Sequence, residues 1–501
     1  MPETQIPGDG AVVASAEGGS FDVNGFKHSK IQDKNIALRE KRQDPNVSDE
    51  SSQATAMEIL KSDDSIRAVV VCFSDAEGVL HMLDYDKKHF CDSHDALTFD
   101  GSSIRGFTTQ DQSDLRLRPD FKTLRFLPGK IFGEGKVLMF ADVHDKDGTP
   151  YGGDMRVVLK KYLANVKKDH GITAMMAPET EGVLLKGVDA EQNFDERTGF
   201  ETAMETGYFH ALPKSSLRDF IDKLACATRD MGFRNEKDHP EVGPGQFELN
   251  YGPSDPVLMA EDMLLYKLTA RQIAATDGMT ASFLPKPIQG ENGAGMHTNI
   301  SLQGSNGENL FFDESDPNRI SAACRRAIQS VLDHADEICL GISSSVNAYR
   351  RLDPHFEAPN EKKASPNDRG SMVRVPLAGP KSARMEVRSV APDSNPYLVA
   401  ALLVRAAVDG VLNKELKEVE FAKKGDGKAP TLPGDIYEAI THFEQSQFVA
   451  DAMGGERTRD AYVALKREAA ETSPRRLGSS IKGTEVRLHH EVANQRLRNA
   501  F

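Results

Sequence analysis

The stretch AMMAPETEGVLL, residues 174–185, places two carboxylates one residue apart between two apolar runs. On a β-strand, residues two apart point to the same face, so Glu179 and Glu181 would project together. A buried carboxylate is costly unless it is paired, hydrogen-bonded or bound to a cation. Two carboxylates that face one way also repel each other unless positive charge lies beside them. The pair indicates a cation site, and a solvent-facing strand with chance acidic residues is the alternative.

A second stretch repeats this geometry. In ARMEVRS (383–389), a strand would carry Arg384, Glu386 and Arg388 on one face and Met385 and Val387 on the other. A row of arginine and glutamate beside an apolar face suits the binding of anions and metals together. A row of surface ion pairs is the alternative interpretation.

Two further segments add side chains that bind metals. HPEVGPGQFELNY (239–251) carries Glu241 and Glu248 around a Gly-Pro-Gly bend, and GENGAGMHTNISL (290–302) carries His297 after a glycine-rich loop. Such a loop lets backbone approach a ligand closely. With Glu179, Glu181 and Glu386, these make five carboxylates and one imidazole, a set that suits Mg²⁺ or Mn²⁺ better than zinc. A structural role is the alternative for a lone histidine.

Arginines cluster in residues 347–376, which hold Arg350, Arg351, Arg369 and Arg374. Metals combined with fixed arginines are typical of phosphoryl transfer, where charge on the migrating oxygens must be neutralised. The sequence contains no Walker GxxxxGK[ST] motif and no kinase glycine loop, which disfavours the common nucleotide-binding folds.

Composition narrows the class of protein. The 501 residues include 62 Lys and Arg against 76 Asp and Glu, a net charge of −14, which argues against a nucleic-acid partner. No run of 18 apolar residues predicts a membrane span. The five cysteines are scattered without a CxxC pair, as expected for free thiols in a reducing cytosol. With no secretory signal at the N-terminus, the expected location is cytoplasmic.

The order of the segments predicts an α+β chain in three parts. Residues 1–54 are polar and predict a flexible arm, with one short helix near residues 34–42. Residues 55–157 read as a small strand-rich domain, because AVVVCFS and VLHML flank the turn DAEG. Residues 158–501 form the larger region, which opens with a helix that begins near Met155 and ends at Gly171.

Taken in order, these segments resemble the glutamine synthetase family, bacterial type I-like. The resemblance runs through roughly residues 56–410. It is carried by DGSSIRGF (100–107), SDLRLRPD (113–120), PETE (178–181), GYF (207–209), EVGPGQFE (241–248), FLPKP (283–287), NGAGMH (292–297), NAYRRL (347–352), FEAP (356–359), DRGSMVRVP (368–376) and ARMEVRS followed by NPYL. It implies a small β-grasp-like domain before a large catalytic domain with a curved antiparallel sheet, or partial barrel, and surrounding helices. It also implies stacked rings, as in a dodecamer, with active sites shared between subunits.

The resemblance assigns a role to individual residues. One metal would take Glu181, Glu241 and Glu248, and the other Glu179, His297 and Glu386. Substrate glutamate would meet Asn292, Gly293, Arg351 and Arg388, and ATP would meet Ser301, Arg369, Arg374 and Arg384. The ammonium pocket would take Asp100, Ser103, Tyr208 and Glu241, with Asp100 from a neighbouring subunit acting as the base. The catalytic set would be Asp100, Arg369 and Glu357, the last on a flap over the intermediate.

The implied activity is ligation of ammonia to the γ-carboxylate of L-glutamate, with ATP as cosubstrate and two or more divalent cations, Mg²⁺ or Mn²⁺. A relative that uses an organic amine, such as a polyamine or ethanolamine, is one alternative. A non-catalytic structural homologue is another. The sequence departs from the family at Asn299, where a second histidine is usual, and at His239-Pro240-Glu241, where His-His-Glu is usual.

Overall fold

The computed structural model describes residues 29–193, 199–204, 207–211, 215–288, 290–352, 358–422 and 428–476. Its helices are α1 Lys30–Gln43, α2 Asp49–Ser62, α3 Lys87–Ser93, α4 Gly129–Phe132, α5 Met155–His170, α6 Ser216–Asp230, α7 Pro256–Thr276, α8 Ala322–Asp333, α9 Ala335–Ile342, α10 Val346–Arg351, α11 Pro396–Leu412, α12 Ile436–Gln445, α13 Gln447–Ala452 and α14 Glu456–Arg476. Among the described residues, no helix is both long and apolar enough to cross a membrane.

The first sheet lies in the N-terminal part of the chain. Its strands are β1 Ala68–Ser74, β2 Leu80–Asp86, β3 Thr98–Asp100, β4 Asp114–Pro119, β5 Arg125–Phe126 and β6 Lys136–Asp145. The strand order is β2-β1-β6-β4-β3, with β5 also on β6, and β1 runs parallel to β6. The predicted hairpin is confirmed, because β1 and β2 pair antiparallel around Gly78, whose φ of 85° suits the tight turn.

The second sheet follows α5 and forms the centre of the larger region. Its strands are β7 Thr173–Lys186, β8 Asn235–Pro240, β9 Gln246–Tyr251, β10 Met279–Ser282, β11 Met296–Gln303, β12 Glu361–Ser365, β13 Ser371–Arg374 and β14 Met385–Val387. The order is β12-β13-β14-β11-β7-β9-β8, with β10 on β7. All pairs are antiparallel except β12 with β13. The α+β prediction with a curved, largely antiparallel sheet is confirmed.

Apolar residues on one face of this sheet explain where the core lies. Phe247, Leu249, Met296 and Ile300 are at most 1% exposed and belong to the largest apolar cluster. The same cluster includes α7 and α11, which are buried over most of their surface. A separate apolar cluster fills the space between the first sheet and α2. One face of each strand in the second sheet is therefore left for polar side chains.

The prediction of a flexible arm over residues 1–54 is wrong from Lys30 onward, because α1 and the first part of α2 occupy this region. The helix predicted near residues 34–42 is present and longer. Polar contacts hold α1 in place: Arg39 donates to Asp262 at 2.6 Å, and Asn35 donates to the Asp230 carbonyl at 2.7 Å. Residues 1–28 lie outside the described residues.

The remaining domain limits stay a prediction. The helix expected near Met155 is α5, and Gly171 ends it in the left-handed conformation at φ 66°. A boundary between residues 157 and 158 would fall inside this helix. The change from the first sheet to the second is therefore better placed before Met155 than within α5.

Candidate active site

Strand register gathers the candidate ligands on the polar face of the second sheet. Glu179 on β7 lies opposite His297 on β11, and Glu181 lies opposite Glu248 on β9. Glu248 in turn lies opposite His239 at the end of β8. Directly paired residues on adjacent strands point to the same side of a sheet. Glu179 and Glu181 are therefore not an isolated pair of carboxylates. They belong to a wider polar cluster made of side chains from neighbouring strands.

Glu179, His297 and Glu386 form the first ligand group. One ligand atom from each of these side chains lies within 4.8 Å of the other two. The His297 Nδ1 atom is 3.9 Å from Glu179 Oε2, and Asn299 donates to Glu179 Oε1 at 3.0 Å. Burial disfavours ionisation of Glu179, but His297 and Asn299 outweigh it and lower the pKa of Glu179 to about 2. The carboxylate is therefore held in the anionic form that binds cations.

Arginines surround this first group. Arg374 and Arg388 each donate to a different oxygen of Glu386 at 2.7 Å, and Arg384 donates to Asn299 Oδ1 at 2.8 Å. Glu386 is 1% exposed, so these charge-assisted bonds balance a carboxylate that water does not reach. The arrangement places fixed positive charge next to a group of candidate cation ligands. Arginines beside a cation site suit the binding of a phosphate chain.

His239, Glu241 and Glu248 form the second ligand group, again with one atom from each side chain within 4.8 Å of the others. Burial and then the charge of Glu181 raise the pKa of Glu241 to about 7, and the same two causes raise the pKa of Glu248. Burial lowers the pKa of His239. Carboxylates that repel each other in this way need a counter-charge, and a divalent cation would supply it.

Glu181 lies between the two groups. Its Oε2 accepts hydrogen bonds from Gln246 Nε2 at 2.8 Å and from the Gly295 amide at 2.9 Å. Its Oε1 is 3.7 Å from His297 Nδ1. The structure thus brings Glu241 and Glu248 together with His239. Glu181, the expected third member of that set, lies opposite Glu248 on the neighbouring strand and also near His297.

The glycine-rich loop after β10 packs directly on Arg351. A Cβ atom on Gly293 would lie 2.6 Å from the Pro285 carbonyl and 2.8 Å from Arg351 Cγ, so only glycine fits. Arg351 donates to the Arg388 carbonyl at 2.8 Å, and burial lowers the pKa of Arg351 to about 10. Gly293, Arg351 and Arg388, three of the residues expected to bind glutamate, are therefore neighbours, and Asn292 is half-buried beside them.

The expected ATP residues lie along the same face. Ser301 is half-buried on β11, two residues beyond Asn299. Arg374 and Arg384 are half-buried beside the first ligand group. Arg369 is exposed, and its carbonyl accepts a hydrogen bond from Arg388 at 3.2 Å.

The expected ammonium residues divide between the two sheets. Tyr208 stacks on Phe209 at 3.9 Å, and Phe209 stands edge-on to His239 at 4.5 Å. Asp100 and Ser103 instead lie exposed at the edge of the first sheet. Ser102 and Ser103 donate to Asp100 at 2.6 Å and lower the pKa of its carboxyl. Glu357 lies outside the described residues.

Two residues at this site were not assigned a role from the sequence. Gln246 connects Glu181 to the loop, because its Nε2 also donates to the Gly293 carbonyl at 3.2 Å. Its position two residues before Glu248 on one strand was the available signal. His239 stands out in the sequence only as part of His239-Pro240-Glu241, which replaces the usual His-His-Glu. Its pairing with Glu248 depends on a strand register that the sequence does not reveal.

Comparisons with known proteins found family descriptions, relatives and a solved structure that match this chain. Two family descriptions match the chain, "Glutamine synthetase, catalytic domain" over residues 152–480 and "Glutamine synthetase, beta-Grasp domain" over residues 65–146. A protein of Methanococcus maripaludis named glutamine synthetase is 35% identical over 71% of this chain and 80% of its own length. One of that name from Clostridium saccharobutylicum is 34% identical over 81% of this chain and 92% of its own length. A solved structure titled "GmaS/ADP complex-Conformation 1" shares the fold, with a TM-score of 0.75 at 22% identity over 86% of this chain and 98% of its own.

Proposed function

The chain belongs to the glutamine synthetase family, and from this membership we propose that it ligates ammonia to the γ-carboxylate of L-glutamate at the expense of ATP. The products are glutamine, ADP and phosphate, and γ-glutamyl phosphate is the intermediate. The observation that carries the proposal is the pair of ligand groups on one sheet face, with arginines beside the first group. Cation ligands and arginines together can bind the phosphates of ATP and the carboxylates of glutamate at one site.

The residues fit divalent cations, because the donors are mainly carboxylates with one imidazole in each group. We assign one Mg²⁺ or Mn²⁺ ion to Glu179, His297 and Glu386, and another to Glu241 and Glu248 with Glu181 alongside. When bound, such cations neutralise charge on a phosphoryl group in transfer. The arginines contribute in the same direction, since Arg374 and Arg384 are fixed by Glu386 and Asn299.

Glutamate and ATP would bind at neighbouring parts of this face. We assign glutamate to the backbone of the glycine-rich loop at Asn292 and Gly293, with Arg351 and Arg388 at its carboxylates. ATP is assigned to Ser301, Arg369, Arg374 and Arg384. The γ-carboxylate is a poor electrophile until it is phosphorylated, and these residues would hold it in line with the phosphoryl group.

The amine would enter beside the second ligand group. Tyr208 and Glu241 line that end, and we assign Asp100 and Ser103 of a neighbouring subunit in a ring assembly, such as a dodecamer, to complete the pocket. An anionic Asp100 would bind NH₄⁺ and accept its proton, which frees the nucleophilic lone pair. We assign Glu357 to a flap that keeps water from the acyl phosphate.

An organic amine is a second candidate because of the apolar surface next to Glu241. Tyr208, Phe209 and Val242 are 44%, 54% and 50% exposed. Large apolar side chains at the edge of a ligand group can contact an alkyl chain, which ammonium lacks.

A phosphate-release assay separates these candidates. The full-length protein is given ATP, glutamate and Mg²⁺, with ammonium, putrescine, spermidine or ethanolamine as the amine. We expect turnover with ammonium and none without glutamate. Turnover with an organic amine alone would overturn the choice of ammonia, and no turnover with any amine would favour a non-catalytic homologue. Glu248→Gln serves as the inactive control because it removes a proposed cation ligand.

A further inference from the structure

His239 is the last residue but one of β8, and in the described part of the chain one of its ring nitrogens is hydrogen-bonded and the other is not. Its Nδ1 lies 3.2 Å from the Pro240 carbonyl, which can only accept, so Nδ1 is the protonated nitrogen. The lone pair is then on Nε2. This atom is buried and has no hydrogen-bond partner among the described residues, and the residue as a whole is 7% exposed. Buried polar atoms without a partner are rare in folded proteins and call for an explanation.

The free Nε2 atom lies near the Glu248 carboxylate of the second ligand group. It lies 4.0 Å from Glu248 Oε1, and His239 Nδ1 lies 3.6 Å from Glu241 Oε1. Two atoms that bind one ion at about 2.1 Å each are at most about 4.2 Å apart. The separation of Nε2 from the Glu248 carboxylate therefore leaves room for one cation between them.

Neighbouring residues fix the orientation of the ring. Phe209 packs edge-on against it at an interplanar angle of 81°, and the Phe209 amide donates to the same Pro240 carbonyl at 3.4 Å. Phe209 adopts a left-handed φ of 56°, which a bulky residue takes only where its surroundings enforce it. A histidine that donates one N–H to a backbone carbonyl and offers its other nitrogen is the usual arrangement of a metal ligand.

We propose that His239 binds, through Nε2, the divalent cation held by Glu241 and Glu248. The inference rests on the proposed function only in placing a cation at this group. A nitrogen ligand here has a consequence for selectivity. Mg²⁺ prefers oxygen ligands, so an imidazole raises the affinity for transition ions such as Mn²⁺ relative to Mg²⁺.

The test uses Mn²⁺ on the full-length protein, without substrates. Mn²⁺ affinity is measured by electron paramagnetic resonance for the unaltered chain, His239→Gln and the control His89→Gln, which removes an exposed imidazole on α3. We expect one of two binding events to weaken at least about 10-fold in His239→Gln, as for loss of a group that supports a metal. Competition by Mg²⁺ should become correspondingly more effective. Equal affinity in all three proteins would overturn the proposal.

A second measurement does not require the His239 variant to fold. In His297→Gln, which removes the imidazole of the first group, sub-stoichiometric Mn²⁺ should still show ¹⁴N coupling in electron spin echo spectra. Bound Mn²⁺ without nitrogen coupling would contradict the role of His239 and leave the proposed ligase intact. Failure of the unaltered protein to bind any Mn²⁺ would instead contradict the proposed function.

Discussion

Several side chains on the polar face of the second sheet each form hydrogen bonds with two neighbouring side chains. Asn299 donates to Glu179 and accepts from Arg384, so it joins the first ligand group to the arginines. Glu386 accepts from both Arg374 and Arg388. An amide at position 299 carries no charge, but it can donate and accept at once, which makes it a suitable connector between a carboxylate and a guanidinium.

The two ligand groups predict two separable metal-binding events. Glu179→Gln should abolish or weaken the event at His297 and Glu386, and Glu248→Gln should affect the event at Glu241, because each change removes one anionic ligand. Titration calorimetry with Mn²⁺ measures both. The matched control is Glu361→Gln, which alters a half-buried carboxylate on β12. Identical losses in Glu179→Gln and Glu248→Gln would contradict the division into two groups.

At the scale of elements, α10 holds the glycine-rich loop through the segment that precedes it. Asn347 accepts a hydrogen bond from the Lys286 amide at 2.7 Å and donates to the Lys286 carbonyl at 3.0 Å. Lys286 Nζ donates to the Glu291 carbonyl, and the Ala294 amide donates to the Pro285 carbonyl at 2.8 Å. The loop that carries Gly293 is thus fixed at both ends.

Asn347→Ala should loosen this loop without touching the arginines. Two lost hydrogen bonds of about 0.5–1.5 kcal/mol each predict a loss of unfolding free energy of about 1–3 kcal/mol. We expect KM for glutamate to rise several-fold while KM for ATP changes little, since only the loop is released. Steady-state kinetics of phosphate release measures both constants, with Asn413→Ala, at the exposed end of α11, as control. An equal rise in both KM values would count against a local effect.

Element boundaries show what could be predicted from the sequence. Period-two alternation in PETE and ARMEVRS correctly identified strands with one polar face, because that pattern depends only on the strand itself. The grouping of His239 with Glu248 could not be predicted, because it depends on which residues pair across strands. The length of helix α1 was underestimated because the helix has no apolar stripe. Polar contacts, such as that of Arg39 with Asp262, hold α1 against the rest of the protein.

At the scale of the molecule, buried ion pairs connect α1, β5 and α5 to α7 in the catalytic part. Asp262 on α7 accepts from Arg39 at 2.6 Å and from Arg125 at 2.8 Å. Its neighbour Glu261 pairs with Arg42 and Arg156. These two carboxylates are at most 1% exposed, so their charge is balanced by the paired arginines and not by water.

Arg39→Ala should therefore destabilise the whole protein. Removing one partner of a buried pair costs about 3–5 kcal/mol, and the lower end applies here because Arg125 still pairs with Asp262. Denaturant unfolding followed by circular dichroism measures the change. Lys417→Ala, which breaks an exposed pair with Glu420, is the control and should have little effect. A similar, small effect of both changes would show that α1 contributes little to stability.

The hydrogen bonds of Gln246 have a consequence for how ligands influence one another. One amide nitrogen connects Glu181, between the two ligand groups, to the Gly293 carbonyl in the loop assigned to glutamate. A cation that fixes Glu181 would also fix this loop, so the two ligands would bind with positive cooperativity. By thermodynamic reciprocity, the factor by which the cation raises the affinity for glutamate equals the factor by which glutamate raises the affinity for the cation.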